Sequence, residues 1–404
     1  MANVIEKVER AVATLKNGGL IIVADDETRE AEGDMVGLAA KATTATVNRM
    51  ITSARGLLCV PIAPTIADRL HLMPMTTERD AFGTAFTIST DHHTTTTGIS
   101  AADRATTIQA LADSSSLATD FYHPGHIFPL VARAGGLLER RGHTEAAVEL
   151  AKLTGATPAA YICEIIKKNG QMARRKDLKA LAEGLQLPMI TIEDLNRYLV
   201  QTQRVHLNTT ETVQLPTTIG DFQLTGFQVP GQAVLPLALQ KGNLTDEEPV
   251  LVRLHSECMT GDVFGSQRCD CGEQLHQALR LINDKQRGVL IYLRQEGRGI
   301  GLANKLAAYA LQEQGVDTYD ANVQLGFQPD ERRYDTASLI LRQLGITRVR
   351  LMTNNPDKVQ QLTAAGIEVV ERVPLEVPAN SHDKDYLATK RDRFHHQLTL
   401  TEEH

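Results

Sequence analysis

The sequence contains no tryptophan and, among 404 residues, only eight tyrosines and nine phenylalanines. That leaves few aromatic faces from which to build a stacking platform for single-stranded nucleic acid. Cysteine is also scarce, five in all, which excludes a disulfide framework and points to a reducing compartment. No apolar run reaches membrane-spanning length. The N-terminal stretch "MANVIEKVERAVATLKNGG" lacks the cationic-then-apolar order of a secretory signal, and its Val4, Ile5, Val8, Ala11, Val12 and Leu15 have amphipathic helical spacing instead. A soluble, cytoplasmic protein is therefore expected. An excess of positive charge is missing too: 42 Lys and Arg stand against 49 Asp and Glu, for a net charge of -7. This argues against a general nucleic-acid binder and leaves room for local basic pockets that take small anions such as phosphorylated metabolites.

The length exceeds one ordinary domain and favours two. Strand-like runs ("GLIIVAD", "LLCVPIA", "AFTIST") alternate with helical ones ("AAVELAKLTG", "RRKDLKALAEGLQL") to about residue 200. The segment "VQTQRVHLNTTETVQLPTTIG" is polar and threonine-rich and has no helical periodicity, which places a boundary near 200 to 210. Beyond it, "PVLVRLHS", "GVLIYLRQEG" and "RVRLMTNN" alternate with helical "LANKLAAYALQEQG" and "DKVQQLTAAG". The expected fold class is α/β (α+β) in two domains, residues 1–203 and 204–404. There is no internal repeat. The charged, histidine-bearing tail after "VPANSHDKDYLATK" suggests no chemistry, and about its last ten residues are expected to be loosely held.

Three of the five cysteines fall in "CMTGDVFGSQRCDC", residues 258–271. Cys269 and Cys271 can converge on one ion from a turn, with Cys258 arriving from the end of the preceding strand. Three thiolates leave a fourth tetrahedral position open, as in a catalytic zinc site. The alternative is a closed structural site completed by His255 or His276. Charged residues crowd the neighbourhood: "RLHSE" precedes Cys258, and "RQEGRGIG" sets Glu296, Arg298 and three glycines where a strand runs into a helix. "QPDERRYD" and "TNNPDK" add Asp330, Arg332, Tyr334, Thr353 and Lys358. Hydroxyl, ammonium and helix-terminal amides together suit a phosphate.

These segments, with "DTYDANVQLGFQPDERRY" and "TNNPDKVQQLTAAGIEVVERVPL", closely resemble GTP cyclohydrolase II over about residues 205–390. The resemblance implies zinc-dependent opening of the GTP imidazole ring with loss of formate, and release of pyrophosphate. By it, Cys258, Cys269 and Cys271 are zinc ligands. Arg253, Leu254, His255, Ser256, Glu257, Gln274, Glu296, Gly297, Arg298, Thr318, Thr353 and Lys358 hold GTP. Asp330 corresponds to the proton acceptor, and Arg332 to the residue assigned as nucleophile toward the α-phosphate. A nucleophilic guanidinium is chemically unusual, and Arg332 as a clamp on the triphosphate is the other reading. Tyr309 stands where the family carries a functional tyrosine, as a proton donor or as core. Magnesium is expected to accompany the triphosphate.

A second dense patch, "DDETREAEGDM", follows the apolar strand "GLIIVA". Glu30, Glu32 and Asp34 alternate, so an extended backbone sets them on one face, and hard oxygen ligands suit magnesium. Arg140, His143 and Thr144 open a helix in "ERRGHTEAAVEL", His126 lies in "HPGHIFPL", and Glu164 interrupts the apolar "YICEII". A carboxylate in such a run is costly unless paired or functional. With "FTIST" and "TTGISAADRATTI", these segments resemble 3,4-dihydroxy-2-butanone 4-phosphate synthase over about residues 1–200. The two halves together resemble the bifunctional riboflavin-biosynthesis family.

The resemblance implies that Glu30 and His143 bind magnesium or manganese. Arg29, Glu30, Asp34, Arg140, Arg141, Gly142, His143, Thr144 and Glu164 contact ribulose 5-phosphate, and His126 and Glu164 are catalytic. Arg141 departs from the family, which has a small residue there, and either crowds the pocket or adds a phosphate contact. His123 and "DHHTTTTG" depart as well. The leading expectation is one chain with both activities, acting on small molecules and forming a homodimer, without nucleic-acid or membrane partners. The alternatives are a cyclohydrolase with a catalytically weak first domain, or a zinc-containing nucleic-acid module, against which charge and aromatic content weigh.

Overall fold

The apolar runs of the sequence become the inner strands of two separate sheets. In the computed structural model, residues 4–25, 31–76, 83–245 and 248–399 are described, without the Asp385 side chain. They divide into two units, Met1–Leu199 and Val200–His404.

The first unit holds β1 (Ile21–Ala24), β2 (Gly33–Leu38), β3 (Arg55–Ile62), β4 (Thr90–His92), β5 (Phe121–Val131), β6 (Ala160–Ile165) and β7 (Met189–Thr191). They form one mixed sheet in the order β4-β5-β3-β6-β2-β1-β7. Every residue of β1 and β2 is buried, because helices cover both faces, and that is why "IIVA" shows no polar alternation. Ile22, Met35, Val47, Met50, Val60 and Tyr161 belong to the main core. The His143–Thr154 helix ends on Gly155 in the left-handed conformation (φ 76°) and packs on β2, β3 and β6.

One expected strand does not form. "AFTIST" makes only the isolated bridges Phe86–Leu130 and Pro74–Thr87, and β4 begins at Thr90. The Thr87 amide donates to the Pro129 carbonyl at 3.0 Å, but Pro129 has no N–H to return, so the ladder cannot continue there.

The second unit holds β8 (Asn208–Thr209), β9 (Val213–Pro216), β10 (Asp221–Gln228), β11 (Leu237–Lys241), β12 (Val250–Ser256), β13 (Gly288–Leu293), β14 (Arg348–Met352) and β15 (Glu368–Val373). The order is β15-β14-β12-β13-β11-β10-β8, with β9 on β10. Strands β13, β12, β14 and β15 are parallel, so β12, β13 and β14 end on the same side. The segments that follow them, from Glu257, Arg294 and Thr353 onward, converge there, in the crevice where open parallel sheets bind ligands. Phe222, Leu251, Ile282, Leu290 and Met352 form the core beneath it.

The tail departs from expectation. A Lys384–Phe394 helix follows "NSHD". Beyond it the Gln397 amide donates to the Asn354 carbonyl at 2.9 Å, and the Thr399 amide to Glu376 Oε2 at 2.9 Å. One backbone bond to the loop after β14 and one to a carboxylate after β15 hold this segment through Thr399, while residues 400–404 lie outside the described residues.

Candidate active sites

The three thiols of the second unit meet. Their sulfurs all lie within 4.8 Å of one another, and Cys258 Sγ is 3.6 Å from Cys269 Sγ. Cys258 follows β12, while Cys271 opens the Cys271–Lys285 helix. Gly261 permits this approach, since a Cβ there would lie 3.2 Å from both Cys258 Sγ and Cys269 Sγ. Among the described residues no histidine or carboxylate completes the cluster. His255 is engaged elsewhere: its Nε2 is 3.0 Å from Asp262 Oδ1 and its ring stacks on Tyr292, whose hydroxyl donates to Asp262 Oδ2 at 2.7 Å.

Sulfurs bound to a tetrahedral zinc at ~2.3 Å lie about 3.8 Å apart. The Cys258–Cys269 separation is close to that spacing, and three thiols would leave a fourth tetrahedral position open. Hydrogen bonds from Cys269 and Cys271, with the Lys305 ammonium, pull the Cys258 thiol far below its ordinary range, while Cys269 and Cys271 are raised. Lys305 Nζ lies 3.1 Å from Cys258 Sγ, 3.0 Å from Thr260 Oγ1 and 2.7 Å from Glu296 Oε1. Glu296 Oε2 accepts the Met259 amide at 2.6 Å, so one carboxylate ties the glycine turn to the cysteine loop. Tyr309, one helical turn after Lys305, shares a 3.2 Å hydrogen bond with Thr260.

The glycine turn is strained: Gly297 and Arg298 are both left-handed (φ 62° and 60°), a cost that an arginine, unlike a glycine, bears. The Arg298 carbonyl accepts the Glu331 amide at 3.0 Å, linking this turn to the Asp330–Arg332 loop. Thr318 and Tyr309 line the same cavity as the three cysteines, Glu296, Gly297, Arg298 and Arg332.

A second cavity shares Ser256, Cys271, Arg332 and Tyr386 with the first, and is lined by Arg253, His255, Gln274, Thr353 and Lys358. Its cations are buried. Arg253 donates to the Met352 carbonyl at 3.0 Å and to Gln274 at 2.7 Å, and its buried Nε has no hydrogen-bond partner among the described residues. Lys358 donates to the Leu254 carbonyl at 2.8 Å. The Leu254 backbone is thus what faces Lys358, its side chain being fully buried core. Burial, then Arg253 and Arg332, drive the Lys358 ammonium well below its usual range. A cation destabilised by other cations is a site short of negative charge, as expected of a polyanion pocket.

Arg332 forks onto Asp330, Nε to Oδ1 at 2.9 Å and Nη2 to Oδ2 at 2.5 Å. Burial alone would lower the guanidinium, but the Tyr334 phenol and Asp330 carboxylate raise it well above its ordinary value. Burial likewise pushes Asp330 up, and Arg332 more than reverses that. Ser256 donates to Gln295 at 3.2 Å, and Glu257 accepts from Arg294 at 3.1 Å.

In the first unit, antiparallel pairing sets Asp34 of β2 directly opposite Glu164 of β6. Glu164 is half-buried, not buried, and its Oε2 accepts the Leu57 amide at 2.8 Å. His126, on β5, is oriented by Asp91: Nδ1 lies 2.6 Å from Oδ2, and the His126 amide donates to Oδ1 at 2.9 Å. Gly98 makes room for the pair, since a Cβ there would fall 2.0 Å from Asp91 Oδ2. Gly142 caps the helix whose first turn carries His143 and Thr144, both buried.

Arg140 donates to the buried Glu145 at 2.7 Å, and Arg141 to Glu193 at 2.5 Å. Arg141 is thus engaged by a carboxylate of the same unit. Arg29 and Glu30 lie outside the described residues. Sequence reasoning missed Asp91, Asp262, Asp270 and Lys305. Only Lys305 left a signal, four residues before Tyr309 and so on the same helical face.

The 3,4-dihydroxy-2-butanone 4-phosphate synthase family matches residues 9–198, and the GTP cyclohydrolase II family residues 208–374. A "Riboflavin biosynthesis protein RibBA" of Bacillus cereus is 53% identical over 399 residues, 98% of this chain and 99% of its own. One of Bacillus mycoides is likewise 53% identical over the same shares. The crystal structure of RibBX, a two-domain 3,4-dihydroxy-2-butanone 4-phosphate synthase from A. baumannii, superposes with a TM-score of 0.67 at 34% identity, covering 86% of this chain and 93% of its own.

Proposed function

The chain belongs to the bifunctional riboflavin-biosynthesis family that joins 3,4-dihydroxy-2-butanone 4-phosphate synthase to GTP cyclohydrolase II, and from that premise we propose which residues carry each reaction. The first unit is a lyase, converting ribulose 5-phosphate to 3,4-dihydroxy-2-butanone 4-phosphate and formate. The second is a hydrolase, converting GTP to a diaminopyrimidine ribosyl phosphate, formate and pyrophosphate. Both substrates are small molecules, and among the described residues no helix is long and apolar enough to cross a membrane.

In the second unit Cys258, Cys269 and Cys271 hold zinc, which supplies Lewis acidity at the purine ring. The observation that carries this assignment is the open three-thiol cluster beside a buried cationic pocket. Arg253, Gln274, Thr353 and Lys358 take the phosphate end of GTP. Ser256, Glu257, Glu296 to Arg298 and Thr318 line the side nearer the thiols. Arg332 acts as a clamp, because its fork onto Asp330 keeps it protonated, and Tyr309 is placed to donate a proton. Magnesium accompanies the triphosphate.

In the first unit His126, held by Asp91, and Glu164, beside Asp34, move protons on the sugar phosphate, with Arg29, Asp34 and Arg140 to Thr144 as its contacts. Glu30 and His143 would bind magnesium or manganese, which would supply positive charge beside the oxygens of the sugar phosphate. The ion pair of Arg141 with Glu193 supports an active first unit, since it accommodates the family departure without a free charge. A homodimer in the cytoplasm completes the reading. The test is formate release by the intact chain, supplied with each substrate in turn, beside a Cys269→Ser variant. The variant should lose zinc by metal analysis and formate from GTP, and retain formate from ribulose 5-phosphate. Full turnover of GTP by a zinc-free variant would refute the assignment.

A further inference from the structure

The GTP cyclohydrolase II family match ends at residue 374, yet three side chains beyond it face the nucleotide cavities. Tyr386 lines both, and Lys390 and His396 line the cationic one with Arg253, Arg332 and Lys358. Lys390 is buried, and its Nζ lies 2.6 Å from Asp270, the residue between the two zinc-site cysteines. Asp270 Oδ2 in turn accepts from Gln274 at 2.6 Å. The segment is fixed at several points. Arg298 stacks on Phe394, 4.2 Å to the ring centroid, and Arg393 pairs with Asp317 at 2.9 Å and Asp320 at 3.0 Å, flanking Thr318. The Gln397 amide bonds the Asn354 carbonyl beside Thr353.

One helix and the five residues after it therefore touch all three loops assigned to GTP. Among the described residues the His396 ring has no hydrogen-bond partner, although burial and the charges of Lys390, Arg332, Lys358 and Arg298 lower it to about 2. A neutral imidazole facing a cluster of cations has the donor and acceptor capacity to bind a phosphate oxygen, and no structural partner to hold it there.

We propose that this C-terminal segment is a wall of the GTP site, with Lys390 and His396 contacting the triphosphate. The proposal rests on the placement of GTP in this cavity. Lys390 supplies a fourth cation to the pocket, and Asp270 holds it in position until the anion arrives. His396 closes the side opened by the turn after β14. Removing the His396 side chain sacrifices no internal hydrogen bond, so its effect reports on the ligand.

The experiment compares full-length, zinc-loaded wild type with His396→Ala, His396→Gln, Lys390→Met and Lys358→Met. Formate release is followed against GTP concentration, and inorganic triphosphate is titrated as a competitive inhibitor. Zinc content and formate release from ribulose 5-phosphate report whether the chain is intact. His396→Ala should raise both KM for GTP and the inhibition constant of triphosphate roughly tenfold, the worth of one hydrogen bond to a charged group, with partial recovery in His396→Gln. Lys390→Met should raise both by at least as much with zinc retained. Unchanged constants in the His396 and Lys390 variants, while Lys358→Met raises them, would overturn the proposal alone. Unchanged constants in all, Lys358→Met included, would overturn the placement of GTP and the proposal with it. Zinc loss in Lys390→Met would reassign Lys390 as a positioning residue acting through Asp270.

Discussion

If Arg332 clamps the triphosphate, the chemistry at the α-phosphate proceeds without its deprotonation. A guanidinium ordinarily titrates far above neutral pH, and here, against the opposing effect of burial, the Tyr334 and Asp330 partners lift it further. Even at the ordinary value, about one molecule in thirty thousand is neutral at pH 8, a cost of about 6 kcal/mol before any bond forms. The bidentate fork raises that cost, since the neutral form would leave a partly buried carboxylate facing no charge. Arg332→Lys keeps the charge and loses the fork, so KM for GTP should rise about tenfold with a smaller change in kcat. The assay is pyrophosphate release from GTP at pH 7 to 9.5, with mass spectrometry of quenched enzyme during the first turnover. The clamp predicts no guanylyl adduct and no tenfold gain per pH unit. An adduct on Arg332 that forms and decays at the rate of turnover would refute this reasoning.

Asp91→Asn should leave His126 in place but remove its carboxylate partner, slowing formate release from ribulose 5-phosphate by roughly tenfold to a hundredfold. GTP turnover by the same chain should be unchanged, and an equal loss of both activities would mean that the substitution merely unfolds the protein. Lys305→Met removes the ammonium from Cys258 Sγ and Glu296, and should weaken zinc retention against a chelator by about tenfold or more, as other supports of ligating residues do. Zinc held as tightly as in wild type would show that Lys305 contributes nothing to the cluster.

How much of this was legible in the sequence depended on chain distance. Cys269 and Cys271 are separated by one residue at the start of a helix, and Cys258 lies two residues beyond a strand whose apolar run is plain, so the thiol cluster could be read locally. So could the alternation of strands and helices, because burial on both faces writes continuous apolar runs. The supports were not legible. Asp91 reaches His126 across 35 residues and Lys305 reaches Cys258 across 47, contacts set by strand order and not by any local period. "AFTIST" had strand composition but lay opposite Pro129, a fact visible only once the register was known. The tail failed for a related reason: Lys390 and His396 look like surface charge until the loop after β14 is seen to pair with the segment carrying them.

The same contacts explain how a chain of net charge -7 can hold two polyanionic substrates. Acidic residues are not spread evenly against the bases but placed behind them: Asp91 on His126, Glu296 on Lys305, Asp330 on Arg332, Asp270 on Lys390. Each carboxylate fixes the direction of its partner, and for the largely buried Lys305, Arg332 and Lys390 it also lowers the cost of burial, so the basic group is already aimed when the substrate enters. Arg253 and Lys358 differ, held by carbonyls and Gln274 without a contacting carboxylate among the described residues. With no carboxylate in contact with either, the cavity they line is a place where a bound phosphate gains.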